Sequence, residues 1–187
     1  MPVPASTQWL TSYYFVRAGV AAAWVAAAVT VGRSVSPVAA VLLVAYPAWD
    51  AGANLVDAQR SGGWRANPSQ IGNAAISTVT ALAVAVSLGL GPHAILAVFG
   101  CWAILSGMSQ LATGIRRWNG GAQWAMVLSG AQSSLAGLFF LAKANDVATP
   151  GIMDVVPYAG FGAFYFLVSA VWLAVARARQ ASVEGTA

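Results

Sequence analysis

Six stretches of the chain run apolar for about the 20 residues that a helix needs to cross roughly 30 Å of hydrocarbon, and short polar breaks divide them. They extend from Ser12 to Val31, Pro37 to Gln59, Ser69 to Leu90, Pro92 to Ile115, Gln123 to Lys143 and Gly151 to Arg177. The breaks carry turn residues: Gly32-Arg33-Ser34, Ser61-Gly62-Gly63 on to Asn67-Pro68, Gly89-Leu90-Gly91, Asn119-Gly120-Gly121 and Thr149-Pro150-Gly151. Pro37 and Pro92 stand at helix starts, where a missing amide hydrogen costs nothing. Pro47 and Pro157 fall inside helices and predict kinks. Residues 1–11 and 180–187 read as disordered flanks of a membrane domain over residues 12–179.

The second stretch breaks its own pattern. Asp50, Asn54 and Asp57 recur at i, i+4 and i+7 and so share one helix face. A carboxylate near the bilayer centre costs roughly 2.5–3.5 kcal/mol even on a lenient scale, so this stripe must face protein or trapped water. Helices one and two turn near Ser34, and antiparallel packing brings Arg17 level with the stripe. Arg17 is therefore expected to meet Asp50, Asp57 or both.

Composition agrees with the pattern. Of 187 residues, 59% are hydrophobic and 7% charged, and the mean hydropathy is +0.70, which places the chain among integral membrane proteins. The formal charge of +4 comes from nine basic residues scattered between apolar segments, so no stripe exists for a nucleic-acid backbone. One cysteine, Cys101, and one histidine, His93, leave no metal-ligand spacing, no cofactor motif and no nucleophile beside a base. No cofactor, no metal and no enzymatic activity are expected. A secretory n-region is missing before Arg17, so the first helix reads as retained, with cleavage near Ala28 as the alternative.

Loop charge orients the helices. Arg60, Arg65, Arg116, Arg117, Arg177 and Arg179 follow helices two, four and six, whereas the opposite loops hold only Arg33 and Lys143. By the positive-inside bias both termini are cytoplasmic. Trp9, Tyr13, Trp64, Trp118 and Trp124 fall at that boundary, where amphipathic rings prefer to sit.

A shift of 55 residues places Gly19 on Ala74, Pro37 on Pro92 and Gly52 on Gly107, and a third copy carries Gly130 and Gly137. Small residues seven apart let helices approach closely in lipid. Gly19, Gly52, Gly100, Gly107, Gly114, Gly130 and Gly137 are thus the expected packing positions of three helical hairpins, residues 12–63, 69–118 and 123–179, around a pseudo-threefold axis.

The segment from Trp102 through Gly107 to Arg116 and Arg117, with Gly130 and Gly137 and the Arg17-Ala18-Gly19 run, resembles the short repeat of the HdeD-like bacterial acid-resistance membrane proteins. An aspartate often directly precedes the glycine in that family, whereas Asp50 lies two residues before Gly52. The resemblance implies a multi-pass protein of the bacterial inner membrane acting in envelope or acid-stress protection.

The alternative is a small transporter or channel for protons or a small solute, using the Arg17 and Asp50 region. Gln70, Asn73, Ser77, Thr78 and Thr80, facing Ser106, Ser109, Gln110 and Thr113, read as interhelical glue before a hydrated path, and Gln132, Ser133 and Ser134 likewise. His93, at the outer end of the fourth helix, is a candidate pH sensor, more simply a solvated helix start. The aromatic run Tyr158, Phe161, Phe164, Tyr165 and Phe166 reads as packing. The expected surroundings are the lipid bilayer, with homo-oligomerisation compatible, the partner protein unread and no nucleic acid.

Overall fold

The computed structural model describes residues 5–34, 36–116 and 124–184. Its helices are α1 (Ala5–Ala27), α2 (Ser36–Arg60), α3 (Pro68–Ser87), α4 (Pro92–Arg116), α5 (Trp124–Ala144) and α6 (Ile152–Glu184). A π-helical turn, Ala28–Gly32, ends α1, and a 3-10 turn, Trp64–Ala66, precedes α3. Among the described residues six helices are long and apolar enough to cross a membrane. This makes the protein a multi-pass, all-helical membrane protein.

The flanks differ from expectation. Helix α1 already begins at Ala5, and α6 continues to Glu184, because Arg177, Ala178, Arg179, Gln180 and Ala181 are good helix formers that extend the ladder beyond the apolar stretch. Arg117, Trp118 and the Asn119-Gly120-Gly121 break lie outside the described residues.

Loop chemistry sets the α2–α3 turn. Gly62 and Gly63 adopt φ of 105° and 90°, a region that side chains with a Cβ rarely enter. The Asn67 amide then donates to the carbonyls of Ala58, Ser61 and Gly63 at 3.2, 3.0 and 2.9 Å, which satisfies the end of α2. In α2, Pro47 disturbs the backbone ladder, and the indole Nε1 of Trp24 donates to the Leu42 carbonyl in the preceding turn at 2.8 Å.

Each helix touches its neighbours in the chain, and α1 also packs along α6, so the six close into a ring. The extensive pairings are α2 with α3, α4 with α5, and α6 with α1, whereas α1 meets α2 only loosely and α5 meets α6 most loosely. The expected hairpins are therefore not the tight packing units. Close approach requires small residues facing each other, and these face across the longer seams.

The α4–α5 seam shows this directly. Gly107 and Gly130 pack backbone to backbone, as do Gly100 and Gly137: a Cβ at Gly137 would come 2.6 Å from the Gly100 carbonyl, and one at Gly130 2.8 Å from that of Gly107. A Cβ at Gly114 would meet Val127 at 2.8 Å. Gly19 and Gly52, by contrast, have nothing within 4 Å of where a Cβ would stand. The first two helices turn a different small face inward, formed by Ala21 and Ala28 on α1 and by Ala51 and Ala58 on α2. Adjacent alanines compete for the buried face there, and the inward pull of Arg17 and Asp57 fixes which one wins.

The core lies at the end of the ring opposite the α2–α3 loop. Trp24, Leu43, Val84, Leu96, Phe99, Trp102, Phe140, Ile152 and Val155 fill it from all six helices. Beside it, Lys143 at the end of α5 pairs with Asp154 at the start of α6.

Candidate functional site

Below this apolar plug, toward the α2–α3 loop, the ring encloses a cavity of about 610 Å³. Its floor is aromatic. Tyr46, Trp102 and Tyr158 from α2, α4 and α6 meet at the centre, with ring centroids 5.7 Å apart for the first pair and 5.9 Å for the second. Each also touches the preceding helix: Tyr46 lies 4.8 Å from the Trp24 ring, Trp102 Nε1 donates to Ser77 Oγ at 3.0 Å, and the Tyr158 hydroxyl is 3.1 Å from Ser133 Oγ.

The polar stripe of α2 forms one wall. Arg17 Nη2 pairs with Asp50 Oδ1. Its Nη1 donates to the Tyr13 hydroxyl at 3.0 Å, and its guanidinium lies 4.2 Å from the Phe166 ring centre. Asp50 Oδ2 also accepts from Ser77 Oγ at 2.7 Å and from Asn54 Nδ2 at 3.0 Å. Four groups, Tyr13 from α1, Asn54 from α2, Ser77 from α3 and Phe166 from α6, thus converge on one carboxylate and its cation.

Asp57 stands apart from Arg17. It accepts from Ser61 Oγ at 3.1 Å and from Gln70 Nε2 at 3.4 Å, and no cation lies within ion-pair distance among the described residues. Arg60, one turn on, instead lies over the Trp9 ring at 5.0 Å.

The far wall is polar too. Asn73, Ser106, Ser109, Gln110, Thr113, Ser129 and Gln132 line the cavity, with Tyr165 donating to Gln132 Oε1 at 2.6 Å. Two buried atoms on this surface make no hydrogen bond, Arg17 Nε and Asn73 Oδ1. Thr78, Thr80 and Ser134 bond carbonyls of their own helices and stay out of the cavity. His93 is the second residue of α4, at the plugged end, and lines no part of the cavity.

Tyr13 is buried against Arg17, whose Nη1 donates to its hydroxyl. Trp64 and Trp124 are exposed near the boundary end. Among the described residues no group of three His, Cys, Asp or Glu side chains could hold a metal ion.

Residues 73–142 match the sequence family described as a short repeat of unknown function, DUF308. That family includes HdeD-like membrane proteins. No curated protein and no solved structure matches the chain. The DUF308 segment runs through α3, α4 and α5 and contains the glycine seam together with Trp102, Ser133 and the polar wall of α4. The Arg17–Asp50 pair lies outside it, so the DUF308 match covers the scaffold of the cavity and not its ionic wall.

Proposed function

We propose that the chain is a non-enzymatic, multi-pass protein of the bacterial inner membrane, HdeD-like in class, whose cavity receives a small solute or proton for transport. Envelope or acid-stress protection is the physiological setting that the sequence resemblance to HdeD-like proteins suggests. The observation that carries the transport reading is the cavity itself: polar walls lead from the α2–α3 end past the Arg17–Asp50 pair to the aromatic cluster, and the lining reaches Asp154 beside the apolar core. Such a compartment is one state of an alternating-access cycle. In proteoliposomes the wild type should move protons or solute, and Asp50→Asn should slow the flux at least about tenfold, the loss of a charged hydrogen-bond partner. A flux equal to protein-free vesicles rejects transport, and normal acid survival of a deletion strain rejects the stress setting.

The reading includes topology. Arg60, Arg65, Arg116, Arg177 and Arg179 flank the cavity end of the helices, and of the two basic residues at the other end Lys143 is already neutralised by Asp154. This supports cytoplasmic termini and a cavity facing the cytoplasm. It also includes a threefold repeat. Tyr46, Trp102 and Tyr158, like the core residues Leu43, Phe99 and Val155, recur every 56 residues, one more than the glycines suggest, and the tight seams α2–α3, α4–α5 and α6–α1 are related by the same step.

A further inference from the structure

The wall between α5 and α6 is unlike the others. It is the loosest seam of the ring, and side-chain bridges hold it at three levels: Lys143 to Asp154 at the plugged end, Ser133 to Tyr158 at the aromatic floor, and Gln132 to Tyr165 below. Between these levels, over about 16 Å of helix, Leu135 and Phe139 on α5 and Phe161 on α6 line the cavity. The same three side chains are 66%, 61% and 53% exposed. Such high exposure of cavity-lining apolar side chains along the loosest seam marks an opening there, and apolar side chains at an opening between membrane helices suit lipid tails.

Inside, charge is unbalanced. Arg17 is matched by Asp50, and Asp154 by Lys143, which leaves Asp57 as the one lining carboxylate with no cation among the described residues. Asp57 sits one turn from the end of α2, with Tyr13, Tyr14, Gln70 and Asn73 around the same compartment. In the ring α2 stands opposite α5, so Asp57 and the lipid-facing opening lie on opposite walls.

We propose that the cavity binds an ammonium-bearing amphiphile that enters from the bilayer between α5 and α6, its head at Asp57 and its tail in the opening. The proposal rests on the transport reading for its purpose but on separate observations for its chemistry. Asp57 supplies the counter-charge, and the Tyr14 ring, which lines the same cavity, supplies a face that attracts a cation. A volume of about 610 Å³ is within the range of small-ligand sites, roughly 300–1,000 Å³.

The test uses the full chain in nanodiscs at pH 7. Dodecylammonium should raise the unfolding temperature in a saturable way, while ethylammonium and dodecanoate at equal concentration should not. Asp57→Asn should weaken dodecylammonium binding at least about tenfold. Because that variant can fail to fold, a diazirine-tailed alkylammonium is also photolysed on the wild type, where peptides bearing Leu135, Phe139 or Phe161 should carry the label and excess dodecylammonium should remove it. Lysophosphatidylethanolamine separates the sources: competition by it points to a membrane lipid, and its failure with retained dodecylammonium binding points to a free amine. Equal binding of dodecanoate, equal binding of ethylammonium, or labelling unaffected by competitor overturns the proposal. Binding without flux would sink transport alone, and proton flux without binding would sink this proposal alone.

Discussion

Arg17 and Asp50 show how much one buried pair constrains. Each is enclosed, and each is held by further partners, Tyr13 and Phe166 for the arginine, Asn54 and Ser77 for the aspartate. Removing one ion strands the other in low dielectric, which costs about 3–5 kcal/mol, whereas removing both is close to neutral. Arg17→Ala and Asp50→Ala should each lower the unfolding temperature of the purified protein, and the double variant should recover most of the loss. Additive losses would mean that the two ions do not depend on each other. The pair was legible in the sequence because a carboxylate stripe in an apolar helix demands a partner and the turn at Ser34 sets the level. The role of Ser77 was not, because it arrives across the α2–α3 seam, whose closeness no local pattern announces. Spacing alone puts Asp57 in the same network, yet Arg17 directs Nη1 to Tyr13 and Nη2 to Asp50, and Asp57 is bonded by Ser61 and Gln70 instead.

Among the helices the decisive seam is α4 with α5. A Cβ at Gly107 would stand 2.5 Å from Ser134 Oγ and 2.6 Å from the Gly130 carbonyl, and backbone cannot yield as a flexible side chain does. Gly107→Ala should therefore destabilise by about 1–3 kcal/mol, and Gly107→Leu by at least as much, as overpacking does. Gly19→Ala and Gly52→Ala meet open space, and they should be neutral or stabilising by up to about 1 kcal/mol through helix propensity. Thermal unfolding of the four variants in one detergent checks both statements; a loss at Gly52 as large as at Gly107 would refute the packing scheme. The seven-residue spacing of small residues was readable throughout, but its phase was readable only where glycine marks it. In α1 and α2 alanine is so abundant that several phases fit, and the polar side chains, not the small ones, choose among them.

For the whole molecule the question is which side the cavity faces. The helices were legible from apolar length and an arrangement about a threefold axis was expected from the repeat, yet the tight seams were not legible, because one of them, α6–α1, joins the two ends of the sequence. Once closed, the ring must be filled, and it is filled unequally: bulky apolar side chains at one end, short polar ones at the other. A hydrophilic reagent should therefore reach Ser109 in the polar compartment from the α2–α3 side and should not pass the plug at Leu96 and Phe99, both nearly inaccessible. In a Cys101→Ser background, Ser109→Cys should react with a membrane-impermeant thiol reagent in inside-out vesicles and be protected in right-side-out ones. Leu96→Cys should be slow in both, since it lies within the packed core. Labelling of Ser109→Cys from the outside only would invert the topology. Equal labelling from both sides would show that the plug opens in the membrane, as it does permanently in a channel and in turn in a carrier, because an irreversible reagent records every state that the compartment visits.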